Sequence, residues 1–238
     1  MIELLVVMAV IGILAALFLP AMVNAKAKAS QAVCRSQLRQ LGIAFLLHLS
    51  EHDDVFPTGA ATSVKGAHPE DWIWWQVQPD ASGTPMMRDG RGSALTPYLG
   101  NFNARYFRCP ADKHALRREV AWKNNPSVEQ YIYSYSLNAF SERGMASYIS
   151  KDRSMMFLNT HSSIVNPAHK IMLAEEKGSP DDGPGSAVID DGRWMPPGFP
   201  LTMRHFGKAN VTFADGHVET VSRHFADSRH PQHYDPEL

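Results

Sequence analysis

Residues 2–23, IELLVVMAVIGILAALFLPAMV, decide how this chain is organised. From Leu4 to Val23 every residue is apolar or small, and a helix needs about 20 such residues to cross a bilayer. A secretory signal peptide is the alternative, because Ala25 and Ala27 resemble its cleavage site, but its apolar region is usually only about 7–15 residues long. The run therefore predicts a membrane-spanning helix.

Two residues of this run are unusual for a simple membrane anchor. Glu3 places a carboxylate at the end of an apolar helix, where it has to be neutralised or paired. Pro20 lacks a backbone donor, so it predicts a kink or a local unwinding of the helix. Both residues fit a helix that packs against copies of itself.

The residues after Asn24 continue the helix as an amphipathic segment. One face carries apolar and weakly polar side chains at helical spacing, namely Cys34, Leu38, Leu41, Phe45 and His48. Asp53, Asp54 and Pro57 predict its end. The chain thus divides into a transmembrane or filament-core helix half (1–24), an amphipathic helix half (25–52), and a β-rich globular domain with long loops and a C-terminal tail (53–238).

The charge balance excludes several classes of protein. The 238 residues carry 23 Lys and Arg against 24 Asp and Glu, a formal net charge of −1. A general nucleic-acid binder carries a basic excess, so no nucleic-acid partner is expected. Two cysteines are too few for a disulfide-dense scaffold or a four-cysteine zinc site.

Short strand-like runs occur in the globular part, at residues 131–137, 170–176, 210–214 and 217–222. The last two flank Asp215 and Gly216, and an Asp-Gly pair between alternating runs predicts a β-hairpin. Nine residues separate His205 from this pair. Two interpretations stay open: a hairpin with a structural histidine, or a metal or ligand site built from His205, Asp215 and His217.

The N-terminal run, with Glu3 near its start and Pro20 seventeen positions later, resembles the type IV pilin and type II secretion pseudopilin superfamily. The segment RHFGKANVTFADGHVE at 204–219 resembles the H-X9-DG signature of a prepilin-type family within it, as do QLRQLGIAF and FRCPAD. The resemblance implies an α+β, pilin-like fold, in which a long N-terminal helix packs on a small antiparallel β-sheet domain with long loops.

The resemblance also implies a function. The chain is expected to be a structural subunit, a pilin or pseudopilin, that polymerises through its N-terminal helix, with Glu3 neutralising the N-terminal amine of a neighbouring copy and fixing the axial register. Its expected partners are copies of itself, the inner-membrane assembly machinery, and a prepilin peptidase that cleaves an upstream leader before the new N-terminus is methylated.

The expected location follows from the same resemblance. It implies a single-pass precursor in the inner membrane with an extracytoplasmic globular domain, and then a filament at the cell surface or in the periplasm. By charge alone, Lys26 and Lys28 would place the C-terminal end of the membrane segment in the cytoplasm. A basic leader upstream favours the opposite orientation.

If the domain is extracytoplasmic, Cys34 and Cys109 are expected to form a disulfide that joins a loop to the helix. The alternative is two buried free thiols. Some secretion pseudopilins bind calcium in a C-terminal loop, so Asp181, Asp182, Asp190 and Asp191 are candidate calcium ligands, although turn chemistry explains them equally well. No other cofactor is expected.

The tryptophan-rich segment at Trp72, Trp74 and Trp75 has two interpretations, a packed core or an exposed surface that stacks on sugars. The second would make the chain a membrane-tethered or filament-tip binding module for a glycan or a divalent metal. No catalytic motif is present, so the chain is not expected to be an enzyme. A metal-dependent enzyme built on His205, Asp215 and His217 is the weakest alternative.

Overall fold

The computed structural model describes residues 2–62, 67–79, 82–83, 85–125, 129–139, 144–179, 188–227 and 229–238. These residues form two α-helices, α1 (Ile2–Glu51) and α2 (Ala115–Asn124). They also form nine strands: β1 (Val77–Pro79), β2 (Pro85–Met87), β3 (Tyr135–Asn138), β4 (Tyr148–Ile149), β5 (Met156–Phe157), β6 (Ile171–Glu175), β7 (Arg193–Trp194), β8 (Lys208–Phe213) and β9 (Val218–Ser222). The fold is α+β, with a long N-terminal helix on a small β-sheet domain, as predicted.

Helix α1 is continuous over its 50 residues, a length of about 75 Å at 1.5 Å per residue. It continues through Pro20 without interruption, so the predicted local unwinding there does not occur. The helix ends where the sequence indicates, because Asp53 and Asp54 take left-handed backbone conformations with φ of 51° and 65°. The long-helix prediction is therefore confirmed.

The second half of α1 packs on the domain through the predicted face. Cys34, Leu38, Leu41, Phe45 and His48 are all buried there. Phe45 contacts Phe56 and Trp72 with ring centroids 6.5 and 5.8 Å apart, so the helix forms one wall of the main core. Burial of such side chains supplies most of the stability of an amphipathic helix.

The main sheet has five strands in the order β7-β3-β6-β8-β9. The pairs β3–β6, β6–β8 and β8–β9 are antiparallel, but β3 and β7 are parallel. The sheet is therefore mixed, and the prediction of a purely antiparallel sheet is wrong. The reason is that the chain leaves β6 and returns on the far side of β3, running opposite to β6 and so parallel to β3.

The hairpin at the C-terminal end of the sheet is the one that the Asp-Gly pair predicts. Strands β8 and β9 are in register from Lys208↔Ser222 to Thr212↔Val218, with Asp215 and Gly216 in the turn. Gly216 has a φ of 88°, which a glycine adopts without strain.

This hairpin lies against α1 with two glycines at the contact. A Cβ atom on Gly42 would lie 2.9 Å from Thr212 Cγ2, and one on Gly216 would lie 2.8 Å from Leu46 Cδ1. Thr212 cannot rotate away freely, because its hydroxyl donates a 3.2 Å hydrogen bond to the carbonyl oxygen of Leu38. At Gly42, helix and hairpin thus approach more closely than a larger residue allows, whereas the end of the Leu46 side chain beside Gly216 is able to move.

We expect Gly42→Ala to lower the free energy of unfolding of the domain by about 1–2 kcal/mol, because overpacking against Thr212 outweighs the higher helix propensity of alanine. The matched control is Gly12→Ala in the same helix, where no atom lies within 4 Å of the added Cβ. Chemical denaturation of the detergent-solubilised chain measures both. Equal stability of the two variants would contradict the close contact.

Candidate functional site

The first half of α1 has no partner within the described part of the chain. Its large apolar side chains from Ile2 to Val23 are between 50% and 78% exposed, whereas the first buried residue of the helix is Cys34. This helix is long and apolar enough to cross a membrane. A surface of this size and continuity is not stable in water, so it requires lipid or protein around it.

A second feature lies in the interior, where α1 first enters the domain. Cys34, Cys109, Glu175 and His205 each direct one side-chain donor atom toward the others, and the four atoms all lie within 4.8 Å of one another. We call these four residues the thiol cluster. Among the described residues it is the one group of three or more His, Cys, Asp or Glu side chains that converge in this way.

Four separate parts of the chain supply the thiol cluster. Cys34 lies on α1, Cys109 follows a short 3-10 helix at Ala104–Phe107, Glu175 is the last residue of β6, and His205 lies three residues before the start of β8. His205 is fixed by two backbone hydrogen bonds with Lys208, which form a tight turn before the strand. All four residues are at most 2% exposed.

The contacts inside the thiol cluster are short. Glu175 Oε1 lies 3.0 Å from Cys34 Sγ and 3.0 Å from His205 Nε2. The same Nε2 atom lies 3.3 Å from Cys109 Sγ. The imidazole nitrogen, the carboxylate oxygen and both sulfur atoms therefore surround one small volume.

Further polar groups orient the cluster from outside. The Asn210 side-chain amide donates to Cys34 Sγ at 3.2 Å, and the Asn210 backbone N–H donates to Glu175 Oε2 at 2.7 Å. Thr220 donates to Asn210 Oδ1 at 2.7 Å, which turns the NH₂ group toward the sulfur atom. The backbone N–H of Ala111 donates to Cys109 Sγ at 3.4 Å.

The pKa values of the cluster reflect this crowding. Burial raises the pKa of the Cys34 thiol well above its ordinary value, and Cys109 and Glu175 add to the effect. Burial opposes the charged forms of Glu175 and His205 too. For His205 the contacts with Cys109 and Glu175 outweigh burial and raise its pKa to about 9, and for Glu175 chiefly the contact with His205 outweighs burial and lowers its pKa. The directions describe a carboxylate–imidazolium pair beside a thiol.

Buried charges next to the thiol cluster form a second network. Asp112 Oδ2 lies 2.9 Å from Arg118 Nη2 and 3.1 Å from Arg204 Nη1, and it accepts a 2.7 Å hydrogen bond from Ser134. Burial alone would raise the pKa of Asp112, but the two guanidinium groups hold it far below its ordinary range. Arg204 also acts electrostatically on Cys109 and Glu175.

The predicted disulfide is wrong, because Cys34 and Cys109 are free thiols in the structure. The two sulfur atoms contact each other without a covalent bond, and each has a further partner: Cys34 contacts Glu175, and Cys109 contacts His205. The structure thus has the arrangement that the sequence left as the alternative, two buried thiols.

The predicted triad of His205, Asp215 and His217 is not brought together. His205 is buried in the thiol cluster, whereas Asp215 and His217 lie at the surface of the hairpin turn, where they contact each other. The histidine and the Asp-Gly pair of the H-X9-DG spacing therefore have different structural roles. The histidine enters the interior before β8, and the Asp-Gly pair makes the turn after it.

Of the four aspartates proposed as calcium ligands, the structure describes Asp190 and Asp191. Asp181 and Asp182 lie outside the described residues. Asp191 is fully buried and accepts hydrogen bonds from the side chain and the backbone N–H of Arg193, so its carboxylate is already engaged. Asp190 is exposed.

The tryptophan-rich segment belongs mainly to the core. Trp72 and Trp75 are fully buried, and their indole N–H groups donate to the carbonyl oxygens of Gly192 and Ala60 at 3.0 and 2.8 Å. Trp74 is partly exposed, and the guanidinium group of Arg88 lies 3.6 Å from its ring centroid. The segment does not form an open aromatic surface.

Comparison with known proteins finds no matching family model, no similar curated protein and no similar solved structure.

We expect Asp112→Asn to lower the free energy of unfolding by about 3–5 kcal/mol, because it leaves two largely buried guanidinium groups without a counter-charge. The folded-state pKa of Asp112 is depressed, so its stabilisation is complete above about pH 4 and is lost as the pH falls. The difference between wild type and variant should therefore shrink below pH 4.

Denaturation curves across pH measure both effects. Glu119→Gln is the control, since it removes a more exposed carboxylate that pairs with Arg108 and Lys123 and should cost less than about 1 kcal/mol. A pH-independent difference for Asp112→Asn would contradict the assignment.

Proposed function

We propose that this chain is a pilin or pseudopilin, a subunit that is stored in the inner membrane and polymerises through α1 into a type IV pilus-like or type II secretion filament. The observation that carries the proposal is that the two halves of one unbroken helix have different surroundings. Its second half forms a wall of the domain core, and its apolar first half extends away without a partner among the described residues.

The stored state follows from the length of the apolar half. Residues 4–23 span about 30 Å as a helix, which matches the hydrocarbon core of a bilayer. Lys26 and Lys28 come directly after this span and are exposed, so their ammonium groups reach the headgroup region. The proposed orientation, with the globular domain outside the cytoplasm, rests on the resemblance to prepilins.

The polymerised state replaces lipid by other copies of the helix. An apolar surface that runs around the whole helix can pack against several neighbours at once, and repeated head-to-tail contacts give an open helical polymer. Glu3 is then the one carboxylate in an apolar bundle, and pairing with the N-terminal amine of a neighbour offsets both charges and defines the axial register.

The continuity of α1 favours a filament over a simple anchor. An anchored domain needs only a flexible connection to its membrane helix, whereas here no loop separates the two halves. The position of each globular domain is therefore determined by the packing of the helix below it. The buried Trp72 and Trp75 give the alternative, a glycan-binding module, no comparable support.

Removal of residues 2–28 should leave the domain folded and convert it into a water-soluble protein, because the first buried residue of α1 is Cys34. The thermal midpoint should change by less than about 2–3 °C, since no core contact is lost. Circular dichroism and ultracentrifugation after membrane fractionation measure the two properties. Continued sedimentation of the shortened chain with membranes would contradict the proposed role of the apolar half.

Glu3→Gln should reduce the amount of this protein in sheared surface or periplasmic filaments by about tenfold or more, because it leaves an unpaired amine in the apolar bundle. Quantitative immunoblotting of the sheared and membrane fractions, with the variant expressed in the native cells, measures it. Glu219→Gln is the matched control, since Glu219 is exposed on β9, far along the chain from the apolar half. Normal filament content in Glu3→Gln would overturn the register argument.

A further inference from the structure

We propose that the thiol cluster is a structural zinc site, in which Cys34 Sγ, Cys109 Sγ, Glu175 Oε1 and His205 Nε2 bind one Zn²⁺ ion. The four donor atoms are of the types that zinc binds. Zinc accepts thiolate, imidazole and carboxylate ligands together, and two thiolates exclude the oxygen-preferring cations calcium and magnesium.

The spacing of the donors fits a tetrahedral ion. Zinc–ligand bonds of about 2.0–2.3 Å place the four donors of a tetrahedral site about 3.3–3.8 Å from one another. In the structure three of the donor–donor distances are 3.0, 3.0 and 3.3 Å, and all six lie within 4.8 Å. Small outward movements of the side chains are enough to admit the ion.

The environment of the donors fits a closed site. All four ligands are at most 2% exposed, so there is no open coordination position for water or substrate, which is the property of a structural zinc site. The hydrogen bonds of Asn210 to Cys34 Sγ and Glu175 Oε2, and of Ala111 to Cys109 Sγ, are the outer contacts that hold metal ligands in place.

The charges around the thiol cluster also balance when zinc is bound. Two thiolates, one carboxylate and Zn²⁺ leave a single negative charge. The adjacent network of Arg118, Arg204 and Asp112 carries a single positive charge, so the buried region is neutral as a whole. Binding replaces the protons on the two thiols and on His205 Nε2, and these protons pass to the solvent.

The site would tie three distant parts of the chain to α1. Its ligands come from α1, from the segment after Ala104–Phe107, from β6 and from the turn before β8. Zinc would therefore fix the base of the protruding helix to the sheet. Coordinated thiolates are also protected from oxidation to a disulfide, which matters if the domain lies in an oxidising compartment.

Metal analysis of the full chain tests the proposal. The protein is purified in detergent under reducing conditions without chelator, loaded with Zn²⁺, and freed of excess metal. Native mass spectrometry and elemental analysis should show one zinc per chain, and removal of the zinc with a chelator should lower the thermal midpoint by about 10 °C. A wild-type chain without zinc after loading would overturn the proposal, as would a Cys34–Cys109 disulfide in protein isolated from cells.

Substitution of Zn²⁺ by Co²⁺ shows the ligands directly. Wild-type protein should give the intense visible bands of four-coordinate Co²⁺ and thiolate-to-metal charge-transfer bands in the near ultraviolet. This result does not depend on any variant folding correctly. Weak octahedral bands without thiolate charge transfer would overturn the site.

Variants then identify the residues. Cys109→Ser and His205→Ala should each retain less than about one tenth of the wild-type zinc after the same treatment. Asn210→Ala should keep the thiolate bands but bind about 10–100-fold more weakly, because it loses one outer hydrogen bond. His217→Ala is the matched control, since it removes the exposed histidine of the hairpin turn and should bind one zinc normally. Loss of zinc in His217→Ala alone would show that the zinc is bound at the surface of the hairpin turn and would overturn the assignment.

Discussion

The contact between the second half of α1 and the β8–β9 hairpin determines how the helix is oriented on the domain. It brings Gly216 against Leu46, and it brings Gly42 against Thr212 at a distance that leaves no room for a larger side chain. The hydrogen bond from Thr212 to the Leu38 carbonyl fixes the rotation of the helix about its axis. With that rotation fixed, Cys34 must face the interior, one turn before Leu38, and it meets the end of β6 there.

The same contact explains why the two halves of α1 behave so differently. Both halves are helical and rich in apolar residues, but the sheet is long enough to cover only the second half. Because the helix is unbroken, the uncovered half cannot fold back onto the domain. Its surface is therefore available only to lipid or to other chains, and the direction in which it leaves the domain is set by the packing around Leu41 and Phe45.

Periodicity and turn chemistry predicted the elements that form locally. The buried face of α1 follows from its helical spacing, and the β8–β9 hairpin follows from Asp215 and Gly216. The thiol cluster could not be predicted in this way, because its members lie far apart in the chain and one of them, Glu175, is an acid in an otherwise apolar strand. The acid at the end of this apolar strand was the sequence signal that could have indicated the cluster. His205 was assigned instead to its neighbours in sequence, Asp215 and His217, which face solvent.

The position of the thiol cluster connects the interior of the domain with the protruding helix. Cys34 is the first fully buried residue of α1, so the cluster lies where the helix passes from the domain to its surroundings. A pull on the apolar half is transmitted to the interior of the domain at this point. Glu175 and Asn210 join the cluster to β6 and β8, the central strand of the sheet and its neighbour. A force on the helix is therefore spread over the sheet through side-chain contacts, and a tetrahedral ion bound there would make these contacts rigid.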